Sequence, residues 1–191
     1  MSVAPSDYGP LAVGVAEILV GEAEIRAQVE EMGAAISRDY ADRNPLLVGV
    51  LKGVLPFMAD LIRAIHIPLE IDFIAVSSYS TESRHRGMVR LEKDLGEPIA
   101  GRHVIFVEDV IDTGFTLNYL LRNLRARDPA SLEVCALFNK ARRRLIDIPI
   151  RYRGFDLPDK FVVGYGLDYR GQYRNLPFVG LLEADVFQAG G

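Results

Sequence analysis

Residues 104–117 read Val104-Ile105-Phe106-Val107-Glu108-Asp109-Val110-Ile111-Asp112-Thr113-Gly114-Phe115-Thr116-Leu117. The apolar opening predicts a buried strand that ends in the two carboxylates Glu108 and Asp109. The Asp, Thr, Gly and Thr that follow predict a short loop opening a helix over 115–126, with Leu117, Leu120, Leu121 and Leu124 on one face. In an open α/β sheet, ligands sit at the carboxyl ends of strands. The start of the next helix offers unpaired backbone N–H groups and a favourable dipole for an anion. Gly114 lets the backbone approach a phosphate closely, and the Thr113 and Thr116 hydroxyls add donors. In isolation, Asp112 or Thr113 would also serve as a helix cap and Glu108-Asp109 as a solvated strand end. Three carboxylates beside a phosphate-type loop instead suit ribose hydroxyls, a metal or a base proton.

Outward from this stretch, strands and helices alternate. Upstream, Ile25, Val29, Met32, Ile36 and Tyr40 draw one apolar helical stripe, which Asn44-Pro45 ends. The run Leu46 to Leu51 is continuously apolar, as in a strand buried on both faces. A helix fits 54–65, with Pro56 in its first turn, and 69–77 reads as the next strand. From Tyr79 to Asp94 the hydrophobicity drops and no period survives, so the segment reads as a long loop or a pair of frayed strands. Leu132 to Phe138 is another strand. The alternation implies an α/β fold with a mainly parallel sheet flanked by helices. After residue 140, short strands, turns, prolines and glycines predict a smaller hood subdomain built from 141–191 with N-terminal elements. The whole of 1–191 reads as a single domain.

Composition narrows the function. Hydrophobic residues at 49% and charged residues at 25% fit a soluble globular protein. With 22 basic against 26 acidic residues the net charge is −4, which disfavours a nucleic-acid binder. Cys135 is the only cysteine, so no intrachain disulfide is expected, and its apolar neighbours read it as a small buried hydrophobe. No apolar run approaches the ~20 residues of a membrane span, and the N-terminus lacks signal-peptide features, so the expected compartment is the cytoplasm. His66, His85 and His103 lack metal-like spacing and read as structural; Arg142-Arg143-Arg144 reads as an exposed charged face without a catalytic part. No G-x-x-x-x-G-K-[ST] and no strand-linked G-x-G-x-x-G occurs.

Val107 to Gly114 with Thr116 resembles the motif by which type I phosphoribosyltransferases bind phosphoribosyl pyrophosphate (PRPP). Val50-Leu51-Lys52-Gly53 resembles that family's pyrophosphate-contacting loop, and Ser77-Ser78-Tyr79 the start of its mobile catalytic loop. Phe155 to Tyr169, continued by Arg174-Asn175-Leu176-Pro177, closely resembles the purine-binding hood of hypoxanthine-guanine phosphoribosyltransferases. The resemblance spans roughly 15–187; the hood segment is highly specific, whereas the PRPP motif alone marks the superfamily.

The resemblance implies a purine-salvage transferase that makes IMP, and GMP as well, plus pyrophosphate, from a 6-oxopurine base and PRPP with Mg²⁺. By the same likeness the backbone from Asp112 through Thr113, Gly114 and Phe115 to Thr116 binds the 5′-phosphate. Phe115 stands where relatives often carry a polar or basic residue. Glu108 and Asp109 would meet the ribose hydroxyls directly or through the metal, with Asp168 a further metal ligand in the base site. Lys52, Gly53 and Arg174 would meet pyrophosphate. Asp112 would be the general acid or base near purine N7. Lys140 would donate to O6, Phe161 stack on the base, and Val162 contribute backbone groups. Ser78 and Tyr79 would open a loop over 79–87, in which Arg84 and Arg86 would either reach pyrophosphate on closure or, the reading slightly favoured, be solvated side chains. The expected partners are small-molecule substrates, without nucleic acid or membrane, in a homodimer or homotetramer. A xanthine-preferring sister enzyme and a phosphoribosyltransferase-like RNA-binding regulator are the competing readings; Lys140 with the hood argues against adenine.

Overall fold

Strand β5 (His103–Ile111) lies inside a six-stranded sheet, and its neighbours explain its length. The computed structural model describes residues 3–78 and 89–188. In it the partner strand β6 (Ser131–Asn139) pairs with β5 far past the apolar run: Glu108 lies opposite Ala136, Val110 opposite Phe138 and Ile111 opposite Asn139. The strand therefore does not stop at the two carboxylates, as the sequence suggests; ladder pairing carries it on to Ile111.

The other strands of this sheet are β2 (Leu46–Leu51), β3 (Glu70–Ser78), β4 (Val89–Lys93) and β7 (Tyr152–Asp156). Their order is β4-β3-β2-β5-β6-β7, all neighbours parallel except the β3/β4 edge pair. Leu46, Leu47 and Val48 are buried, as the unbroken apolar run of a central parallel strand requires. The chain leaves β2 outward to β3, then returns to the far side of β2 to make β5. The order reverses between β2 and β5, so the crevice beyond their carboxyl ends is the topological switch point.

Helices α1 (Glu22–Asp39) and α2 (Leu55–Ala64) cover one face of the sheet. Ile25, Val29, Met32 and Ile36 of α1 and Phe57, Met58 and Leu61 of α2 join Leu47, Ile105 and Val107 in one core. Helix α3 (Phe115–Arg125) covers the other face, where Leu117, Leu120, Leu121 and Leu124 pack on Val48, Val104 and Phe106. At its far end α1 is held to β7 by Asp39, which accepts hydrogen bonds from the Tyr152 hydroxyl (2.7 Å) and Arg151 (2.8 Å). Cys135 is buried beneath α1 and α2.

A separate three-stranded antiparallel sheet has the order β1 (Val15–Val20), β9 (Val179–Leu182), β8 (Val162–Val163). A 3₁₀ helix, Pro5–Ala12, precedes it and a short α4 (Ala184–Gln188) follows it. Two findings beyond the sequence reading concern the edges. Residues 152–156, expected in the hood, pair in parallel with β6 in the large sheet. Residues 89–93, read as part of a long loop or a pair of frayed strands, form β4 because β3 offers a free edge. The remainder of that loop, including Tyr79, Arg84, His85 and Arg86, lies outside the described residues. Among the described residues no helix is long and apolar enough to cross a membrane.

Candidate active site

The end of β5 meets the turn after β2 at the switch point, and the loop that follows β5 opens α3. Gly114, at φ 86°, caps α3 in the left-handed region that an L side chain rarely adopts, and the first intrahelical bond runs from Asn118 N to Gly114 O (2.9 Å). The earlier N–H groups of the turn have no intrahelical acceptor, and no acidic side chain stands in it. Free N–H groups at Thr113, Gly114, Phe115 and Thr116 make this turn a cradle suited to an anion. Phe115 and Thr116 are half-buried, Gly114 is buried, and Leu145 N donates to Thr113 O (3.0 Å).

Beside the cradle, Gly53 comes so close to Asp109 that a Cβ there would lie 1.9 Å from Asp109 Oδ2. Gly166, at φ 95°, approaches from the hood, and its Cβ would meet Gly53 O at 1.9 Å. The backbone at Gly53 is thus packed between the Asp109 carboxylate and the backbone at Gly166, where any side chain would separate them. Lys52 stands exposed on this turn, and the peptide between Leu51 and Lys52 is cis. Ser78 is the last residue of β3.

Electrostatics single out the carboxylates. Glu108 is 9% exposed, and burial, with the neighbouring Asp109 charge second, holds its pKa well above the usual carboxylate range. Burial pushes Asp109 up to about 6, against the lowering pull of the Val110 N–H and of Arg174; Asp168 adds to the rise. Asp168 itself is paired with Arg174 Nη2 (2.6 Å) and accepts a bond from Gly171 N (2.8 Å); Arg174 also donates to Gly166 O (2.6 Å). Asp109, Asp168 and Arg174 therefore share one neighbourhood.

A second cluster lies on the other side of the loop. Lys140, 7% exposed, donates from Nζ to Lys160 O (2.8 Å), directly before Phe161. Burial lowers its pKa, while the Asp112 carboxylate raises it. Phe161 is 42% exposed and meets Tyr169 edge-on at 5.7 Å, so it is no core residue, whereas Val162 beside it is buried in β8. Asp112 accepts from Arg143 Nη1 (3.1 Å) on Oδ2, and its Oδ1 is buried with no hydrogen-bond partner among the described residues.

The arginine run after Lys140 is not the uniform exposed face that its composition suggests. Arg143 links Asp112 to Asp159 (3.3 Å), and Arg144, half-buried, donates to Ile148 O and to Asn139 Oδ1. Nothing in the sequence distinguishes Arg143 from Arg142 and Arg144 beside it. Gly166 and Asp159 were also missed as site residues, although both stand in the hood segment. His103 bonds Ser131 through Nδ1 (2.8 Å), away from the site. Among the described residues no three His, Cys, Asp or Glu side chains converge on one point able to hold a metal. Glu108, Asp109 and Asp168 therefore do not form a self-sufficient cage. They do offer hard oxygen donors, and two of them, buried Glu108 and half-buried Asp109, are neighbouring carboxylates whose repulsion a cation relieves, which fits Mg²⁺ completed by substrate oxygens.

The family model for the phosphoribosyl transferase domain matches residues 16–170. The chain is 45% identical over 175 residues to the hypoxanthine-guanine phosphoribosyltransferase of Bacillus subtilis (strain 168), covering 92% of this chain and 97% of that one. It is 46% identical over 177 residues to the enzyme of the same name from Streptococcus mutans serotype c, covering 93% and 98%. Among solved structures, it matches a hypoxanthine phosphoribosyltransferase from Staphylococcus aureus with a TM-score of 0.88 at 43% identity, over 92% and 95% of the two chains. A ternary substrates complex of a mutant hypoxanthine phosphoribosyltransferase from Trypanosoma cruzi matches with a TM-score of 0.87 at 37% identity, over 92% and 99%.

Proposed function

This chain belongs to the phosphoribosyl transferase family, and from that premise we propose that it joins a 6-oxopurine base to PRPP, forming IMP, and GMP as well, with release of pyrophosphate. The observation that carries this reading is the buried Lys140 ammonium. It stands within the field of Asp112 and donates to the carbonyl beside Phe161, next to an anion cradle. A fixed cation there selects a carbonyl at purine C6 over the amino group of adenine.

In the reaction, purine N9 attacks the anomeric carbon of PRPP as the bond from that carbon to pyrophosphate oxygen breaks. The electron pair leaves with pyrophosphate, and the proton carried on N7 of the incoming base passes to Asp112. The cradle from Asp112 to Thr116 holds the 5′-phosphate through backbone N–H groups. Glu108 and Asp109 receive the ribose hydroxyls. Arg174, with its planar donor fork, and the Lys52-Gly53 turn receive pyrophosphate. Phe161 and Val162 hold the base. Asp168 and the Glu108-Asp109 pair would hold Mg²⁺, which would supply charge neutralisation for the departing pyrophosphate. By likeness to the family, Ser78, the last residue of β3, and Tyr79, outside the described residues, stand where a covering loop would begin.

By likeness to the family, the enzyme is a single domain over 1–191 that works as a homodimer or homotetramer in the cytoplasm. The test is an assay of the purified protein with PRPP, Mg²⁺ and each of hypoxanthine, guanine, xanthine and adenine, following nucleotide and pyrophosphate. Turnover of hypoxanthine and guanine is expected. Turnover of adenine alone, or of no base, would overturn the proposal.

A further inference from the structure

We propose that Arg143 is a positioning residue for this reaction: it holds Asp112 by one carboxylate oxygen, leaves the other for the base, and ties that carboxylate to the purine hood through Asp159. The inference rests on the purine-salvage reading above.

The backbone fixes where Arg143 can reach. Lys140 N donates to Ile111 O (2.9 Å), Arg143 N to Lys140 O (2.9 Å) and Leu145 N to Thr113 O (3.0 Å). The turn after β6 is thereby pinned at both ends to the loop that carries Asp112. From this turn the guanidinium places Nη1 3.1 Å from Asp112 Oδ2 and Nε 3.3 Å from Asp159 Oδ1. A planar fork can serve two carboxylates at once; a point-charge ammonium cannot serve both with the same geometry.

Stability does not account for the arrangement. The side chains of Arg143, Asp112 and Asp159 are 41%, 42% and 57% exposed, and exposed pairs contribute little to folding. The two oxygens of Asp112 are treated differently: Oδ2 is satisfied by Arg143, whereas Oδ1 is buried and has no partner among the described residues. Leaving a buried acceptor unpaired is costly unless a ligand group completes it. Arg143 thus turns the carboxylate so that its unsatisfied oxygen is the one kept for the N7 proton. Asp159 stands one residue before Lys160, whose carbonyl accepts the Lys140 bond, and two before Phe161. Lys140 and Arg143 therefore brace the same hood segment from one turn, and Arg143 alone also grips Asp112.

The test compares wild type with Arg143→Ala, Arg143→Lys, Asp159→Asn, the double variant Arg143→Ala/Asp159→Asn and Arg142→Ala, an exposed neighbour without a site role. Steady-state kinetics are measured with hypoxanthine, PRPP and Mg²⁺, and thermal midpoints are recorded for each. For Arg143→Ala, kcat/KM for hypoxanthine should fall about tenfold, while KM for PRPP stays within about twofold and the melting midpoint is unchanged, since small misplacements of a reacting group have large kinetic cost. Arg143→Lys should recover part of the loss, Asp159→Asn should lose less, and the double variant should be no worse than Arg143→Ala, because both act on one contact. Arg142→Ala should match wild type. Wild-type hypoxanthine kinetics in both Arg143 variants would overturn the inference and leave the reaction standing. So would equal losses toward both substrates, or additive losses in the double variant. A wild type inactive on every purine removes the reaction and the inference together.

Discussion

Arg174 Nη2 and Asp168 Oδ1 stand 2.6 Å apart, and the same guanidinium donates to the carbonyl of Gly166. The group proposed to receive pyrophosphate is thus held in place by the group proposed to receive the metal. Arg174→Ala should raise KM for PRPP more than KM for the base, by about tenfold or more, as charge-assisted hydrogen bonds are worth ~1.5–3 kcal/mol. Arg174→Lys should fall between, keeping the charge and losing the fork. Equal effects on both substrates would assign Arg174 a structural role.

Lys140→Met keeps an apolar stem and removes the ammonium that donates to Lys160 O. Affinity for 6-oxopurines should fall by the ~1.5–3 kcal/mol of a charged donor, with PRPP binding little changed. Calorimetric titration with a base analogue and with PRPP separates the two.

Activity should vanish on exhaustive chelation and return with Mg²⁺ or Mn²⁺, which share oxygen ligands and octahedral geometry. Full turnover after chelation would remove the metal role from Glu108, Asp109 and Asp168.

Asp112→Asn preserves the shape of the loop and cannot take a proton. Turnover should drop within or below the ~10²–10⁴-fold range of general acid–base catalysis, with 5′-phosphate binding retained. Glu108→Gln and Asp109→Asn should instead raise KM for PRPP. If Asp109→Asn lost kcat while Asp112→Asn kept it, the proton would belong to Asp109.

Asp39 lies outside the site and offers a pH test of the fold. The Tyr152 hydroxyl and then Arg151 hold its carboxyl below its ordinary value of 3.8. A depressed folded pKa means that this contribution is present above pH ~4 and is lost as pH falls through the lowered folded value. Asp39→Asn should lower the melting midpoint by a few degrees at neutral pH, since an exposed pair is worth up to ~1 kcal/mol and each kcal/mol moves Tm by about 2–4 °C here. The difference between variant and wild type should shrink at pH 2. A difference independent of pH would show that the carboxylate charge is not what holds α1 to β7.

The α/β alternation, the helical stripes of α1 and α3 and the cradle at Gly114 were legible in the chain because each rests on local rules. These are a period of 3.6 residues, a run of apolar residues in a doubly covered strand, and a glycine where φ is positive. Even so, the length of β5 was misjudged, since pairing with β6 extends it through two carboxylates that locally signal an end. For 89–93 the sequence leaves loop and frayed strand both open, and the free edge of β3 decides for strand.

What the sequence by itself determined was the set of chemical groups and, by likeness to a known family, the work they are suited to. Tertiary structure alone decided how those groups meet. Gly53 touches Asp109 across two strands far apart in sequence, and Gly166 closes on Gly53 from the hood. Lys140, which composition would leave in solvent, is buried because the turn after β6 folds under Lys160. Arg143 was set aside as surface charge, yet the reversal of strand order at β2 and β5, with β6 alongside, brings its turn against the loop of Asp112. Periodicity reports how a segment faces its core. It carries no information on which distant carboxylate a long, flexible guanidinium will reach, because that depends on the packing of the sheet as a whole.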